Sequence, residues 1–108
     1  MSLKLYSRKG TLYIKVNNEI IKMEDVDSFY EMKRYINRPL NRVVVNINNV
    51  KEVNSLLVGF LLKVHGFFRK NTNNKELVLT DELYATQEFS WIDYLHDLFK
   101  IKVTKTKR

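Results

Sequence analysis

The sequence predicts a single α/β domain built on a mixed sheet. Three observations carry that reading. Apolar residues alternate with period two near the start, in Leu3-Lys4-Leu5-Tyr6 and in Leu12-Tyr13-Ile14-Lys15-Val16. A near-continuous β-branched run, "RVVVNI" (Arg42–Ile47), lies in the middle of the chain, as in a central strand buried on both faces. Stretches with helical spacing then alternate with strand-like runs, which implies parallel pairing through right-handed crossovers.

Taken in order, the two opening strands are joined by a hairpin turn over Ser7 to Gly10, with Gly10 free to adopt positive φ. "DSFYEMKRYI" (Asp27–Ile36) predicts a helix with a capping box between Ser28 and Glu31 and with Phe29, Met32 and Ile36 on one face. Arg38-Pro39 closes it, because proline disfavours helix in the residue before it. After the Arg42–Ile47 strand, Leu57, Leu61, Val64 and Phe68 recur at spacings of four, three and four. They predict a helix from about Ser55 to Lys70, broken by "NTNN". "KELVLT" (Lys75–Thr80) reads as a strand, Leu83–Leu95 as a third helix and "FKIKV" (Phe99–Val103) as a last strand. The order is β-β-α-β-α-β-α-β, with about four to five strands in the sheet and helices covering one face more than the other.

The chain has 108 residues, enough for one domain, and a hydrophobic fraction of 44% that can build a core. The expected division is a domain over residues 1–103 and a basic tail over 104–108. There is no cysteine, which excludes disulfides, thiolate metal sites and a cysteine nucleophile. No stretch approaches the roughly 18 apolar residues of a membrane span. The opening "MSLKLYSRKG" lacks the apolar centre of a signal peptide, so a cytoplasmic protein with no membrane partner is expected. The formal charge of +7 is unevenly placed. Residues 1–75 carry 14 basic and 6 acidic side chains, residues 76–99 carry 6 acidic and no Lys or Arg, and residues 100–108 carry 5 basic. A basic protein attracts polyanions, but much of this excess sits in a short tail, so charge alone does not make nucleic acid an expected partner.

"VNSLLVGF" (Val53–Phe60) is the most informative stretch. Asn54 or Ser55 can cap the helix that follows. The same geometry would also accept a phosphate on Ser55, because a helix N-terminus offers free N–H groups and partial positive charge. Such a phosphate would alter a binding surface with little strain on the fold.

"RVVVNINNVKEVNSLLVGFLLKVHGFFRK" resembles the centre of STAS domains, the fold of bacterial anti-sigma-factor antagonists. Their pattern is an apolar strand, a short connection, Asp-Ser-Ser-Gly-Leu or similar, and a long apolar helix. "GTLYIKVNNEI" is similar to the early strand and its turn, and "KELVLTDELYATQEFSWIDYLHDLFKI" to the closing strand, helix and Leu-Phe-x-Ile ending. The resemblance runs from about residue 3 to residue 103 and implies a STAS-like fold. It further implies a non-enzymatic regulator that binds an anti-sigma factor or related serine kinase by partner switching. The family's phosphorylated serine matches Ser55, and a phosphatase would reverse the modification. The resemblance places Asn54, Ser55, Leu56, Leu57 and Val58 on the partner-binding ridge, with Asn18 and Glu19 of the early turn on the same rim. The chain departs from the pattern where Asn54 replaces the Asp, Leu56-Leu57 replace the Ser-Gly, and Asn46 stands for an Asp ending the central strand. In the early turn, Asn18-Glu19-Ile20-Ile21 lacks the family's Asp. These departures keep open a phosphorylation-independent scaffold or small-ligand sensor. A basic nucleic-acid-binding domain ranks third.

The remaining candidates have ordinary readings. His65 and His96 lack the converging ligands a metal needs, and no cofactor is expected. Asp93 and Asp97 read as a solvated face. The isolated Gly residues form no phosphate loop, and Gly59 and Gly66 suggest close helix packing. Phe89, Trp91 and Tyr94 could form an aromatic partner surface, but at helical spacing they read mainly as core, Tyr94 less so than Phe89. Tyr6, Tyr13 and Tyr35 interleave with Lys4, Lys15 and Arg34, a pattern that can bind single-stranded nucleic acid but that on alternating strands reads rather as a plain solvent face. The expected assembly is a monomer or weak dimer.

Overall fold

The computed structural model describes residues 3–86 and 91–106. Its five strands form one sheet in sequence order: β1 (Leu3–Arg8), β2 (Thr11–Val16), β3 (Arg42–Asn46), β4 (Lys75–Thr80) and β5 (Lys100–Thr104). β1 and β2 are antiparallel, and every later neighbour is parallel. This is the mixed α/β sheet that the periodicity predicts. Arg8 pairs with Thr11, so the hairpin loop is only Lys9 and Gly10. Both have positive φ (51° and 79°), as in a type I′ turn, whose twist matches that of the strands it joins.

A parallel progression with right-handed crossovers puts the connecting helices on one face. On that face Leu12, Ile14, Val43, Val45, Leu77 and Leu79 are at most 1% exposed. They form one cluster with Phe29, Phe60, Leu61, Val64 and Phe68 of the helical layer. Val44 of the central strand points the other way and is 9% exposed, yet it stands outside that cluster. The burial on both faces expected of the central strand holds fully only on the helical side; on the other, Val44 lies between half-buried Arg42 and Asn46 with no helical cover.

The first helical segment differs from the sequence reading. It is a 3₁₀ helix over Met23–Tyr35 rather than an α-helix over Asp27–Ile36. Val26, Phe29, Met32 and Tyr35 recur every three residues, and three residues per turn place them on one line. Ser28 and Glu31 lie inside the segment and do not cap it. The start is fixed instead by Asp25, 2% exposed, whose Oδ2 accepts the Lys22 N–H at 2.8 Å. Tyr35 also departs from its expected solvent face: it is 8% exposed, and its hydroxyl donates to the Leu5 carbonyl at 3.4 Å.

α1 spans Ser55–Phe67 and ends at Phe68 rather than Lys70. The single helix expected over Leu83–Leu95 is two short ones, α2 (Asp81–Ala85) and α3 (Trp91–Leu95). Thr80 caps α2 by accepting the Leu83 N–H at 3.2 Å, and Thr86 ends it in an extended conformation. The Trp91 indole then donates to the Thr86 carbonyl at 2.8 Å. Phe89, expected in the core, lies outside the described residues. Past residue 103, Thr104 is still strand, and the Thr106 N–H donates to Asp81 Oδ1 at 3.0 Å. Lys107 and Arg108 of the expected tail lie outside the described residues.

Candidate functional site

The site is built around the N-terminus of α1. Asn54 takes the N-cap position in extended conformation, and its Oδ1 accepts the Leu57 N–H at 2.9 Å. Its Nδ2 donates to the Ile21 carbonyl at 2.8 Å, which ties the helix start to the loop after β2. The Glu19 carbonyl accepts the Lys51 N–H at 2.7 Å and pins the same two loops together. An exposed Lys51–Glu19 ion pair at 3.4 Å adds little, because water screens both ends. Asn18 is half-buried, and its Nδ2 lies 3.5 Å from Asp25 Oδ2.

With Asn54 as the cap, Ser55 is the first helical residue and is exposed. Its hydroxyl makes no hydrogen bond to a described residue. Ser55, Val58, Gly59 and Leu62 share one side of α1 at helical spacing. Together with Val53, Asn54, Trp91 and Tyr94 they line an apolar cleft of about 460 Å³. Leu62 is 38% exposed and Tyr94 59%, so the cleft has unsheltered apolar walls. Trp91, 4% exposed, forms its inner end.

Of the expected ridge, the structure brings Asn54, Ser55 and Val58 to this cleft. Leu57 is corrected: it is fully buried, because the core-facing stripe of α1 runs through Leu57, Phe60, Leu61 and Val64. Leu56 is half-buried and packs against the core, away from the cleft lining. Asn18 and Glu19 sit in the loop bonded to the approach of α1, but neither lines the cleft. Leu62 was not expected as a site residue. Trp91 and Tyr94, the candidates for an aromatic partner surface, both line the cleft, Trp91 as a buried core residue and Tyr94 as an exposed one rather than core. Their spacing signals amphipathic helices, but only the packing of α3 beside α1 turns the two outer faces into one groove.

The glycines of α1 are corrected as well. A Cβ built at Gly59 or Gly66 meets nothing within 4 Å, so neither marks close helix packing. Gly59 instead opens the floor of the cleft. His65 is half-buried with its Nδ1 lacking a partner among the described residues. Burial, then the charges of Lys75 and Arg69, hold its pKa below the ordinary value. His96 is exposed near the Tyr84 hydroxyl at 3.4 Å. Among the described residues no group of His, Asp and Glu could hold a metal ion, and no helix is long and apolar enough to cross a membrane.

These features define an α/β domain whose distinctive site is a capped helix N-terminus beside an apolar cleft. No protein-family model matches the chain, and no curated protein matches it. Among solved structures, it is similar to an anti-sigma-factor antagonist (STAS) domain protein from Planctomyces limnophilus. That likeness has a TM-score of 0.68 at 10% identity, and it covers 95% of this chain and 91% of that chain. The chain therefore has the STAS-domain fold.

Proposed function

We propose that this chain is a non-enzymatic regulatory module that binds a protein partner through the N-terminal end of α1 and the cleft beside it. The fold it shares with an anti-sigma-factor antagonist supports that class. The observation that carries the reading is the division of labour at the helix start. Asn54 does the capping, and Ser55 stands exposed on the rim of an apolar cleft. An anti-sigma factor or related serine kinase is the proposed partner, in the cytoplasm. Its apolar side chains would fill the cleft between Leu62 and Tyr94.

Phosphorylation of Ser55 is the proposed switch. The modified side chain would lie at the positive end of α1, where the first-turn N–H groups favour an anion. It would add nearly two negative charges to an apolar contact, which disfavours the bound partner by desolvation. A phosphatase would restore binding.

A phosphorylation-independent module is the second reading, and the cleft itself favours it. A volume of about 460 Å³ with apolar walls falls in the range of small-ligand pockets. The test is a paired pull-down from the source cell, with wild-type and Ser55→Asp chains as baits, read by mass spectrometry. Retention of an ATPase-fold kinase by the wild type alone supports the switch. Equal retention of the same proteins by both baits removes Ser55 from the mechanism and favours the scaffold or sensor.

A further inference from the structure

The face of the sheet opposite the helices has its own chemistry. Strand alternation puts Lys4, Tyr6 and Arg8 of β1 there with Tyr13 and Lys15 of β2. The parallel register continues those rows through Val44, Glu76 and Lys100, and through Asn46, Val78 and Lys102. The rows therefore carry six cations (Lys4, Arg8, Lys15, Arg42, Lys100 and Lys102) and a single carboxylate, Glu76. Glu76 is 3% exposed and already paired with both Arg42 and Lys102. The other four cations are exposed and have no ion pair among the described residues. The uneven charge of the sequence thus becomes a basic face, and not only a basic tail.

The aromatic rings lie within this field. Tyr6 and Tyr13 stack across the hairpin with centroids 4.9 Å apart and planes 16° from parallel. Beside them the short side chain of Val44 leaves a depression of about 400 Å³, rimmed by Lys4, Lys15 and Asn46. One wall is an aromatic ring, the floor is aliphatic and the rim is cationic. A flat unpaired base with its phosphate has that pattern of chemistry.

We propose that this uncovered sheet face binds a single-stranded nucleic acid, with phosphates on the lysine rows and an unpaired base against the tyrosine pair. Charge complementarity selects a polyanion. The aromatic wall selects a strand whose bases are free to stack, because a duplex keeps its base faces inside. Lys4 and Lys102 share a row across four strand spacings, about 19 Å, so a strand crosses the sheet rather than touching one point. This face is separate from the Ser55 cleft and does not depend on it.

The test is fluorescence anisotropy of the full chain with labelled 12-nucleotide uridine and thymidine oligomers, in 50 and 200 mM salt. Wild type is expected to bind both, more weakly at the higher salt. Lys4→Glu/Lys15→Glu/Lys100→Glu should raise Kd at least tenfold and flatten the log–log salt dependence by about 2, at roughly 0.7 per phosphate contact. Tyr6→Leu/Tyr13→Leu should raise Kd roughly 5- to 100-fold, whereas the Phe/Phe pair stays within about twofold, since stacking needs the ring and not the hydroxyl. The Phe pair and circular-dichroism melts separate lost stacking from a weakened hairpin. Ser55→Asp should bind the oligomers as wild type does, so failure of either proposal is visible without the other. The proposal is overturned if wild type binds neither oligomer at 50 mM salt, or if the lysine variant binds as wild type. It is also overturned if the Leu pair is silent, if a duplex binds equally well, or if polyglutamate or anionic vesicles compete as effectively as unlabelled oligomer.

Discussion

Asn54 donates from its side-chain amide to the Ile21 carbonyl at 2.8 Å, across 33 residues of chain. The same side chain caps α1 through Leu57, so one residue both starts the helix and fastens the loop beside it. Ser55, its neighbour, does neither. Losing a cap costs about 1 kcal/mol, and losing a part-buried hydrogen bond about another 1 kcal/mol. Asn54→Ala should therefore cost about 2 kcal/mol in urea denaturation, while Ser55→Ala should stay within about 0.5 kcal/mol of wild type. Asn54→Asp keeps the acceptor and loses the donor, so it should fall between them. A large loss for Ser55→Ala would mean that the serine supports the fold.

Gly59 should be a stabilising site with a functional penalty. Alanine is better than glycine in a helix interior by about 1 kcal/mol, and the added Cβ meets no atom within 4 Å. Gly59→Ala should raise the thermal midpoint. The same methyl enters the cleft floor, so partner affinity should fall, and Gly59→Leu should abolish binding while the chain remains folded. Calorimetry with the partner captured by the pull-down checks both. Unchanged affinity for Gly59→Leu would place the partner elsewhere.

The sheet was legible in the sequence because each strand carries its own period. Tyr13 and Val44 announce strand residues without reference to anything distant. The helices were less legible. The Val26, Phe29, Met32 and Tyr35 stripe fits a period of three, yet Phe29, Met32 and Ile36 also satisfy 3.6 in so short a segment. Only Asp25 capping Lys22 fixes the observed start. Thr86, extended between α2 and α3, breaks a stretch that has no Gly or Pro to signal a stop. Ser55 and Asn54 were found as candidates from local chemistry. The helical period itself sets Leu57 on the buried stripe with Leu61, Val64 and Phe68, and only the resemblance assigns it to the ridge. The cleft needs Leu62 and Tyr94 from two elements, and the sequence does not give their mutual placement.

The hairpin turn gives a local test of backbone strain. Lys9 and Gly10 both have positive φ, which only glycine adopts without penalty. Lys9→Gly or Lys9→Asn should leave stability unchanged or raise it by a few tenths of a kcal/mol, since Asn-Gly is the favoured pair for this turn. Gly10→Ala should lower stability by roughly 1–2 kcal/mol. Its Cβ would lie 2.9 Å from Asn41 Nδ2, in addition to the φ of 79°. Urea melts of the three variants check the order.

Acid should weaken the fold in two separable windows. His65 is held below its ordinary pKa of 6.5, first by burial and then by Lys75 and Arg69, so the unfolded chain takes up a proton that the fold refuses. Its contribution is present above 6.5 and is lost as pH falls through the folded value. Glu76 is held below its ordinary 4.5, chiefly by its hydrogen bond to Arg42 and then by Lys102, against the opposing effect of burial. Its contribution is present above 4.5 and is lost as pH drops from there through the folded value. Stability measured by urea melts from pH 8 to pH 3 should therefore be level at first, decline below the histidine range and decline again in the carboxylate range. His65→Leu should erase the upper decline without loss at neutral pH, because it removes a buried Nδ1 that has no partner among the described residues. Glu76→Gln should shrink the lower decline and cost about 1–3 kcal/mol at neutral pH, since it breaks charge-assisted bonds to two cations; the decline that stays belongs to Asp25, whose carboxyl is also held low, against burial, by hydrogen bonds that include the Lys22 N–H. If His65→Leu leaves the upper decline in place, another group titrates there and the half-buried histidine is not the acid-sensitive element of the core.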